Sequence, residues 1–118
     1  MAEQLLAAGH MVVVLDNLSK GHRQAIPESA SFVQMDLLES DALQRTVADG
    51  FDGVLHFAAL SVVAESVARP ERYYRNNLCG TLNLLDAMRA AGVQRLVFSS
   101  TAAVYGEPVD VPIPELAI

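Results

Sequence analysis

The fold of this chain is decided by VLHFAALSVVAESVARPERYYRNNLCGTLNLLDAM, residues 54–88, and by LVFSSTAAVYGEP, residues 96–108. Val54 to Phe57 and Leu96 to Ser99 are short apolar runs, typical of strands that are covered on both faces. Between them, Glu71 to Ala91 has apolar residues every three or four positions, which predicts a long helix. These positions are Tyr74, Leu78, Leu82, Leu85 and Met88. A strand, a helix and a second strand predict a parallel α/β unit.

The residues before this unit continue the alternation of helices and strands. Glu3 to Ala8 resembles the end of a helix, and Met11 to Leu15 and Ser31 to Met35 are predicted strands. Ser40 is the expected N-cap of a helix from Asp41 to Ala48, in which Leu43 and Val47 share one face. The proline-containing C-terminal stretch is predicted to be loop. The predicted fold class is therefore α/β, with a doubly wound parallel sheet.

Composition excludes several classes of protein. The chain has 118 residues, enough for one core, and 52% of them are hydrophobic, which excludes a disordered chain. A net charge of −6 argues against nucleic acid or an anionic membrane as a partner. No apolar run reaches the roughly 20 residues of a membrane span, and the residues after Met1 do not resemble a basic, apolar signal peptide. The only cysteine, Cys79, cannot form an internal disulfide, so a reducing cytoplasm is expected.

Two carboxylates follow directly on predicted strands. Asp16 lies at the carboxyl edge, where open α/β sheets bind ligands. There it can accept both hydroxyls of an adenosine ribose and would repel a 2′-phosphate, which predicts NAD rather than NADP; the alternative is an ordinary turn aspartate. Asp36 follows the second strand and either faces a ligand or is structural, as a strand-end turn residue or a helix-capping carboxylate. No metal site is expected.

The glycine pattern of a dinucleotide site is missing. Its fingerprint lies about 20 residues before the ribose-binding carboxylate, which is upstream of Met1. None of the seven glycines forms a G-x-G-x-x-G pattern. The first strand and its glycine-rich loop are therefore expected to be absent. In the strand order 3-2-1-4-5 this strand would lie between the strands that start at Met11 and Val54.

Small and amide residues mark the rest of the expected site. Ala58 and Ala59 end the third strand and leave room for a cofactor against the backbone. Asn76 and its neighbour Asn77 are poor helix formers in the middle of a helix, and such local rule-breaking often marks a site. The alternative for these asparagines is solvent exposure beside close helix–sheet packing. For His56 the favoured interpretation is a core histidine satisfied by backbone.

These segments closely resemble the UDP-glucose 4-epimerases, members of the extended short-chain dehydrogenase/reductase superfamily. The resemblance covers Glu3 to Glu115 and implies a Rossmann-like domain that binds NAD, with residues 1–118 forming part of that domain and the C-terminal substrate domain absent. It also implies that Thr101 hydrogen-bonds the reacting sugar hydroxyl. Many members carry a lysine in place of Ser61. The implied cofactor-binding residues are Asp16, Asn17, Asp36, Leu37, Phe57, Ala58, Ala59, Leu60, Asn76 and Ser99.

The implied activity is interconversion of UDP-glucose and UDP-galactose by NAD-mediated hydride transfer at C4, in a homodimer. The similar 4,6-dehydratases generally carry Asp-Glu where this chain has Ala102 and Ala103, which favours an epimerase. The superfamily's Tyr-x-x-x-Lys pair is missing, because the sole lysine is Lys20 and no tyrosine has the required spacing to it. The chain alone is therefore expected to be inactive. Another nucleotide-sugar epimerase, a dehydratase and a non-catalytic nucleotide-binding remnant remain as alternatives.

Overall fold

The computed structural model of the chain describes residues 1–108 and 110–115. Short 3₁₀ turns lie at Arg23–Ala25 and Ala102–Tyr105, and a π-helical turn lies at Tyr74–Cys79. In chain order the remaining elements are α1 (Ala2–Ala7), β1 (Val13–Asp16), β2 (Ser31–Gln34), α2 (Ser40–Ala48), β3 (Val54–His56), α3 (Val63–Ala68), α4 (Pro70–Tyr73), α5 (Gly80–Ala91) and β4 (Leu96–Phe98).

The strands form two parallel pairs. β1 pairs with β2, with Val13 opposite Ser31, and β3 pairs with β4, with Val54 opposite Leu96. Within the described residues the two pairs are not hydrogen-bonded to each other. The α/β class with parallel strands is thus confirmed, and the sheet is interrupted between β1 and β3, where sequence analysis expects the missing strand.

One apolar cluster joins the two strand pairs. α2 contributes the fully buried Leu43 together with Val47, which confirms the predicted buried face of this helix. The other buried members come from α5, from the turn that follows it and from the end of β2. They are Met35, Leu84, Ala87, Met88 and Val93. Burying each Leu, Val or Met side chain of this cluster contributes about 1.5–3 kcal/mol, so the cluster is the main source of stability in the described part of the chain.

The predicted long helix is continuous but not uniform. α4, the π-helical turn and α5 follow one another without a break from residue 70 to residue 91, and Gly92 ends them in a left-handed conformation with φ +73°. Sequence analysis did not predict the π-helical turn or α3. Four of the five predicted apolar positions, Tyr74, Leu78, Leu82 and Leu85, are exposed, and only Met88 is buried. The helix has two apolar faces, and the buried one carries Leu84 and Ala87 instead.

Some predicted element ends were wrong by one or two residues. Ser40 is the first residue of α2 rather than its N-cap, and Glu39 occupies the cap position. The Glu39 carboxylate bends back and accepts a hydrogen bond from the Asp36 backbone N–H (3.0 Å), which tightens the turn between β2 and α2. Met11 is fully exposed and precedes β1.

A polypeptide of these 118 residues alone is expected to self-associate and to unfold without a sharp transition. Its Cα radius of gyration is 15.9 Å, whereas a compact domain of this length has about 13.5 Å. The apolar side chains of β3 and β4 are also open to solvent, since Leu55, Val97 and Phe98 are exposed. Light scattering and thermal unfolding measure both properties. A monodisperse monomer with a cooperative melting transition would contradict this expectation.

Candidate functional site

A cleft of about 160 Å³ opens at the carboxyl ends of β1, β2 and β3. Nine of the ten residues expected to border a cofactor line it: Asp16, Asn17, Asp36, Leu37, Phe57, Ala58, Ala59, Leu60 and Asn76. Ser99 and Thr101 do not. The ends of parallel strands converge at one edge of a sheet, which is why residues as distant in the sequence as Asp16 and Ala59 meet here.

The first wall of the cleft is a polar bridge between β1 and β2. The Asn17 side-chain N–H donates to the Asp36 carboxylate (2.8 Å). The other Asp36 carboxylate oxygen accepts from the backbone N–H of Leu38 (2.9 Å). Asp36 therefore joins the two strand ends and also closes the turn after β2 through its bond to Leu38; it is not the cap of α2, a position that Glu39 occupies. Its backbone neighbour Leu37 packs against the apolar cluster.

The Asp16 carboxylate is held in position by its own turn. One oxygen accepts from the Leu18 backbone N–H (2.6 Å), and Leu18 adopts φ +57°, a strained conformation for a leucine. The other oxygen lies against Gly21, where an added Cβ would come within 2.7 Å. Any side chain at position 21 would therefore displace the carboxylate. Such strain is typical of sites in which one orientation of a side chain is needed.

Five residues that line the cleft were not predicted as site residues, and two of them, Leu15 and Met35, belong to the strand ends. Ser19, Lys20 and Gly21 line the cleft beside Asp16. The signal that could have found them is the run NLSKG directly after an apolar strand, because such turns at a sheet edge form ligand-binding loops.

The second wall is the segment that leaves β3, residues 57–62, named here the exit loop. Leu60 is buried, whereas Phe57, Ala58 and Ala59 are exposed at the cleft. The small side chains of the two alanines leave their backbone accessible. This wall therefore offers a surface against which a flat ligand can lie.

The π-helical turn brings Asn76 to the cleft. The Asn76 side-chain N–H donates to the Asn77 side-chain oxygen (2.8 Å). This leaves its own side-chain oxygen available as an acceptor for a ligand. π-Helical turns are rare and are frequently found at functional sites.

His56 is a structural residue, as sequence analysis favoured, but its partner is a side chain and not the backbone. Its Nε2 lies 2.8 Å from the Thr81 hydroxyl. That hydroxyl lies 2.6 Å from the Asn77 carbonyl oxygen and donates to it. The hydroxyl must therefore accept from His56, which places the imidazole proton on Nε2. Burial lowers the pKa of His56, so the ring is neutral at pH 7.

The remaining predicted residues lie on the β4 side. The Ser99 backbone N–H donates to the His56 carbonyl oxygen (3.0 Å) and continues the pairing of β3 with β4. The Thr101 side-chain oxygen accepts from the Ala103 backbone N–H (3.2 Å) and caps the 3₁₀ turn. Both residues are exposed. Their roles toward nicotinamide and sugar stay predictions.

A second cavity of about 390 Å³ adjoins the cleft and shares Asn17, Asp36 and Asn76 with it. Its outer side carries three arginines. Arg72 pairs with Glu65, and Arg69 lies 3.7 Å from Glu71. Arg75 lines the cavity beside them. The cavity therefore extends the polar edge of the cleft toward solvent.

Comparison with known proteins agrees with this geometry. The model of the NAD dependent epimerase/dehydratase family matches residues 1–117. The chain belongs to this family. The resemblance inferred from the sequence is thus confirmed at the family level. Across the helices of the described residues, none combines the length and the apolar character needed to cross a membrane.

Members of the epimerase/dehydratase family with similar sequences and structures carry the name UDP-glucose 4-epimerase. The Streptomyces lividans protein is 56% identical over 119 residues, covering 99% of this chain and 36% of that protein. The crystal structure from Brucella ovis, in complex with NAD, has a TM-score of 0.85 at 44% identity and covers 97% of this chain and 35% of that one. The Thermotoga maritima structure, with UDP-glucose, has a TM-score of 0.84 at 35% identity, covering 98% and 38%. The chain spans slightly more than a third of the length of these relatives.

The neutral, buried His56 predicts a pH dependence of stability. The imidazole of an unfolded chain titrates near pH 6.5, and the pKa of His56 in the fold is lower. Unfolding therefore takes up a proton below pH 6.5, so the free energy of unfolding falls as the pH falls, by up to about 1.4 kcal/mol per pH unit. This decrease in the free energy of unfolding stops below the pKa that His56 has in the folded protein. Denaturant titrations between pH 8 and 5 measure this on the natural polypeptide that carries these residues.

The matched control for this titration is His56→Gln, which keeps a side-chain N–H for Thr81 and cannot titrate. The difference in unfolding free energy between wild type and His56→Gln should shrink as the pH falls. A constant difference from pH 8 to pH 5 would show that His56 does not titrate differently on folding.

Proposed function

We propose that this chain forms the NAD-binding part of a UDP-glucose 4-epimerase that interconverts UDP-glucose and UDP-galactose. The observation that carries the proposal is the single cleft into which Asp16, Asp36, the exit loop and Asn76 converge, in a chain of the NAD dependent epimerase/dehydratase family. Residues 1–118 are proposed to be part of the NAD-binding domain, and the sugar-binding domain is proposed to lie outside them.

The residues of the cleft fit the adenosine end of NAD. The Asp16 carboxylate, held by Leu18 and Gly21, provides two acceptor oxygens for two ribose hydroxyls. Its negative charge would repel a 2′-phosphate, which favours NAD over NADP. Asp36 and Leu37 offer a polar and an apolar edge to the adenine. The cleft volume of about 160 Å³ is below the 300–1,000 Å³ typical of sites for whole ligands, so these walls suit only one end of a dinucleotide.

NAD, when bound, supplies the hydride acceptor and donor for carbon 4 of the sugar. The contribution proposed for Thr101 is to orient the sugar hydroxyl. Its oxygen accepts from the Ala103 N–H and keeps its own proton to donate. Ala102 and Ala103 cannot transfer protons, which supports an epimerase over a 4,6-dehydratase.

The general base is not among these residues. Desolvation, together with the nearby Glu65 carboxylate, raises the pKa of Tyr73. A base that must work as a phenolate near pH 7 needs the opposite shift. We therefore propose that these residues bind the cofactor. Turnover requires a polypeptide that also carries a tyrosine next to a cationic side chain, which lowers the pKa of that tyrosine.

The first experiment is purification of the natural polypeptide, release and identification of bound NAD, and an assay with UDP-glucose. We expect bound NAD and formation of UDP-galactose. Asp16→Ala should raise the Kd for NAD by about 10- to 100-fold, because hydrogen bonds to a charged group are lost, and should reduce the preference for NAD over NADP. Asp52→Ala, an exposed carboxylate outside the cleft, is the matched control.

Other outcomes would contradict the proposal in distinct ways. A 4-keto-6-deoxy sugar product would indicate a dehydratase. Bound NAD with no conversion of any UDP-sugar would indicate a non-catalytic remnant. Equal effects of Asp16→Ala and Asp52→Ala on the Kd for NAD would remove Asp16 from the binding site.

Homodimerisation is proposed as well, through the exposed apolar face of the long helix. Tyr74, Leu78, Leu82 and Leu85 are each at least 42% exposed and lie along one face of the π-helical turn and α5. Contiguous apolar surface of this kind is typical of protein interfaces.

We also propose a reducing cytoplasm as the compartment of this protein, which fits the exposed thiol of Cys79 on the π-helical turn.

Sedimentation equilibrium of the natural polypeptide is expected to show a dimer. Leu78→Asp should raise the dimer dissociation constant at least about 30-fold, because truncating or charging a central interface residue removes 2 kcal/mol or more. Gln44→Asp, on the exposed side of α2, is the control for an added charge. A wild-type monomer, or equal effects of both substitutions, would contradict this interface.

A further inference from the structure

Within the described residues no strand pairs with the exit loop, and side chains of the long helix take that place. The Asn77 side-chain oxygen accepts from the Leu60 backbone N–H (2.8 Å), and its side-chain N–H donates to the Leu60 carbonyl oxygen (2.9 Å). The Tyr73 hydroxyl accepts from the Val62 backbone N–H (3.1 Å) and donates to the Val62 carbonyl oxygen (2.8 Å). Each side chain thus satisfies both backbone groups of one residue, as a neighbouring strand would.

The spacing of these contacts is geometrically matched. Leu60 and Val62 are two positions apart, which is about 6.6 Å along an extended chain. Tyr73 and Asn77 are four positions apart, which is about 6 Å along a helix axis. Val62 has extended backbone angles of φ −81° and ψ 105°. Leu60 pairs with Asn77 and Val62 pairs with Tyr73, so the residue numbers rise along the loop while those of the helix partners fall. The four contacts therefore form a two-rung ladder with antiparallel sense.

The Asn77 rung is fixed by further contacts. Its side-chain oxygen also accepts from the Asn76 side-chain N–H (2.8 Å), and its backbone carbonyl accepts from the Thr81 hydroxyl (2.6 Å). These contacts define which way the amide faces and tie it to the helix. Neither Asn77 nor Tyr73 lines the cleft or the adjoining cavity. An effect of Tyr73 on a ligand must therefore act through the exit loop, and an effect of Asn77 acts through the exit loop or through Asn76, whose side chain lines the cleft.

We propose that Asn77 and Tyr73 are positioning residues for the cofactor. By holding Leu60 and Val62 they fix the course of the exit loop, so that Phe57, Ala58 and Ala59 keep one wall of the cleft in place. This inference rests on the proposed NAD-binding function for its ligand. The ladder itself is a property of the backbone and is testable without any ligand.

Hydrogen–deuterium exchange of the natural polypeptide without ligand tests the ladder directly. Tyr73→Phe removes a single oxygen and should accelerate exchange of the Val62 amide at least about fivefold, the effect expected for a lost hydrogen bond. Asn77→Ala should accelerate exchange of the Leu60 amide by a similar factor. Tyr74→Phe, an exposed neighbouring tyrosine, and Asn83→Ala, which loses a hydrogen bond to the Leu37 carbonyl instead, are matched controls.

The affinity for NAD tests the positioning role. Tyr73→Phe and Asn77→Ala should each raise the Kd for NAD about fivefold or more. Tyr74→Phe should leave it unchanged. Exchange in α2 and the thermal unfolding temperature separate this effect from a general loss of structure, because a positioning role requires accelerated exchange that is confined to the exit loop.

The possible outcomes are distinguishable. Accelerated exchange confined to residues 57–62 together with weaker NAD binding in Tyr73→Phe and Asn77→Ala supports the proposal. Unchanged hydrogen–deuterium exchange in both variants overturns the ladder. The positioning role is overturned by equally accelerated exchange throughout the protein, or by an unchanged Kd for NAD. If the wild-type polypeptide binds no NAD, the proposed function and the positioning role both fail, while the exchange measurement still decides the ladder.

Discussion

The packing of α5 against α2 is the contact on which the rest of the described structure depends. The two strand pairs share no hydrogen bonds within that part of the chain, so they are held together by the apolar cluster around Leu43. Gly80 allows the helix to approach closely, since a Cβ there would lie 3.1 Å from the Cβ of Leu37. Asn83 adds a hydrogen bond to the Leu37 carbonyl oxygen (2.9 Å). The cleft lies between the pairs, and its width is consequently set by how this helix packs.

Polar contacts give the cleft its shape within that apolar frame. Among the described residues, no buried side-chain nitrogen or oxygen lacks a hydrogen-bond partner. Asn17 and Asp36 connect the ends of β1 and β2, and Asn77 connects the long helix to the exit loop. In an interior of low polarity an unpaired amide or carboxylate would be strongly unfavourable, so each of these side chains has a defined position. Defined positions are what a binding site requires before its ligand arrives.

The sequence predicted those features that depend on local pattern. Apolar runs identified the four strands of the described residues, and the position of Asp16, Asp36 and Ala58 directly after predicted strands placed these residues at one sheet edge. Features that depend on tertiary packing were not predictable. Periodicity showed that the long helix is apolar at Leu78 and Leu82, but it could not show that the face carrying Leu84 and Ala87 is the buried one. Nor could it reveal α3, because VAESVA is too short to establish a helical period.

The π-helical turn explains why two asparagines are tolerated inside a long helix. Asn competes with the helical backbone for hydrogen bonds and is therefore unfavourable in a regular helix interior. Here the Asn77 amide finds its partners in the Leu60 backbone, outside the helix, and the Asn76 amide binds Asn77. Thr81 donates to a carbonyl of the same turn and accepts from His56, which ties the turn to β3. The local departure from helix-forming residues is thus compensated by contacts to the strand and to the loop that form one wall of the cleft.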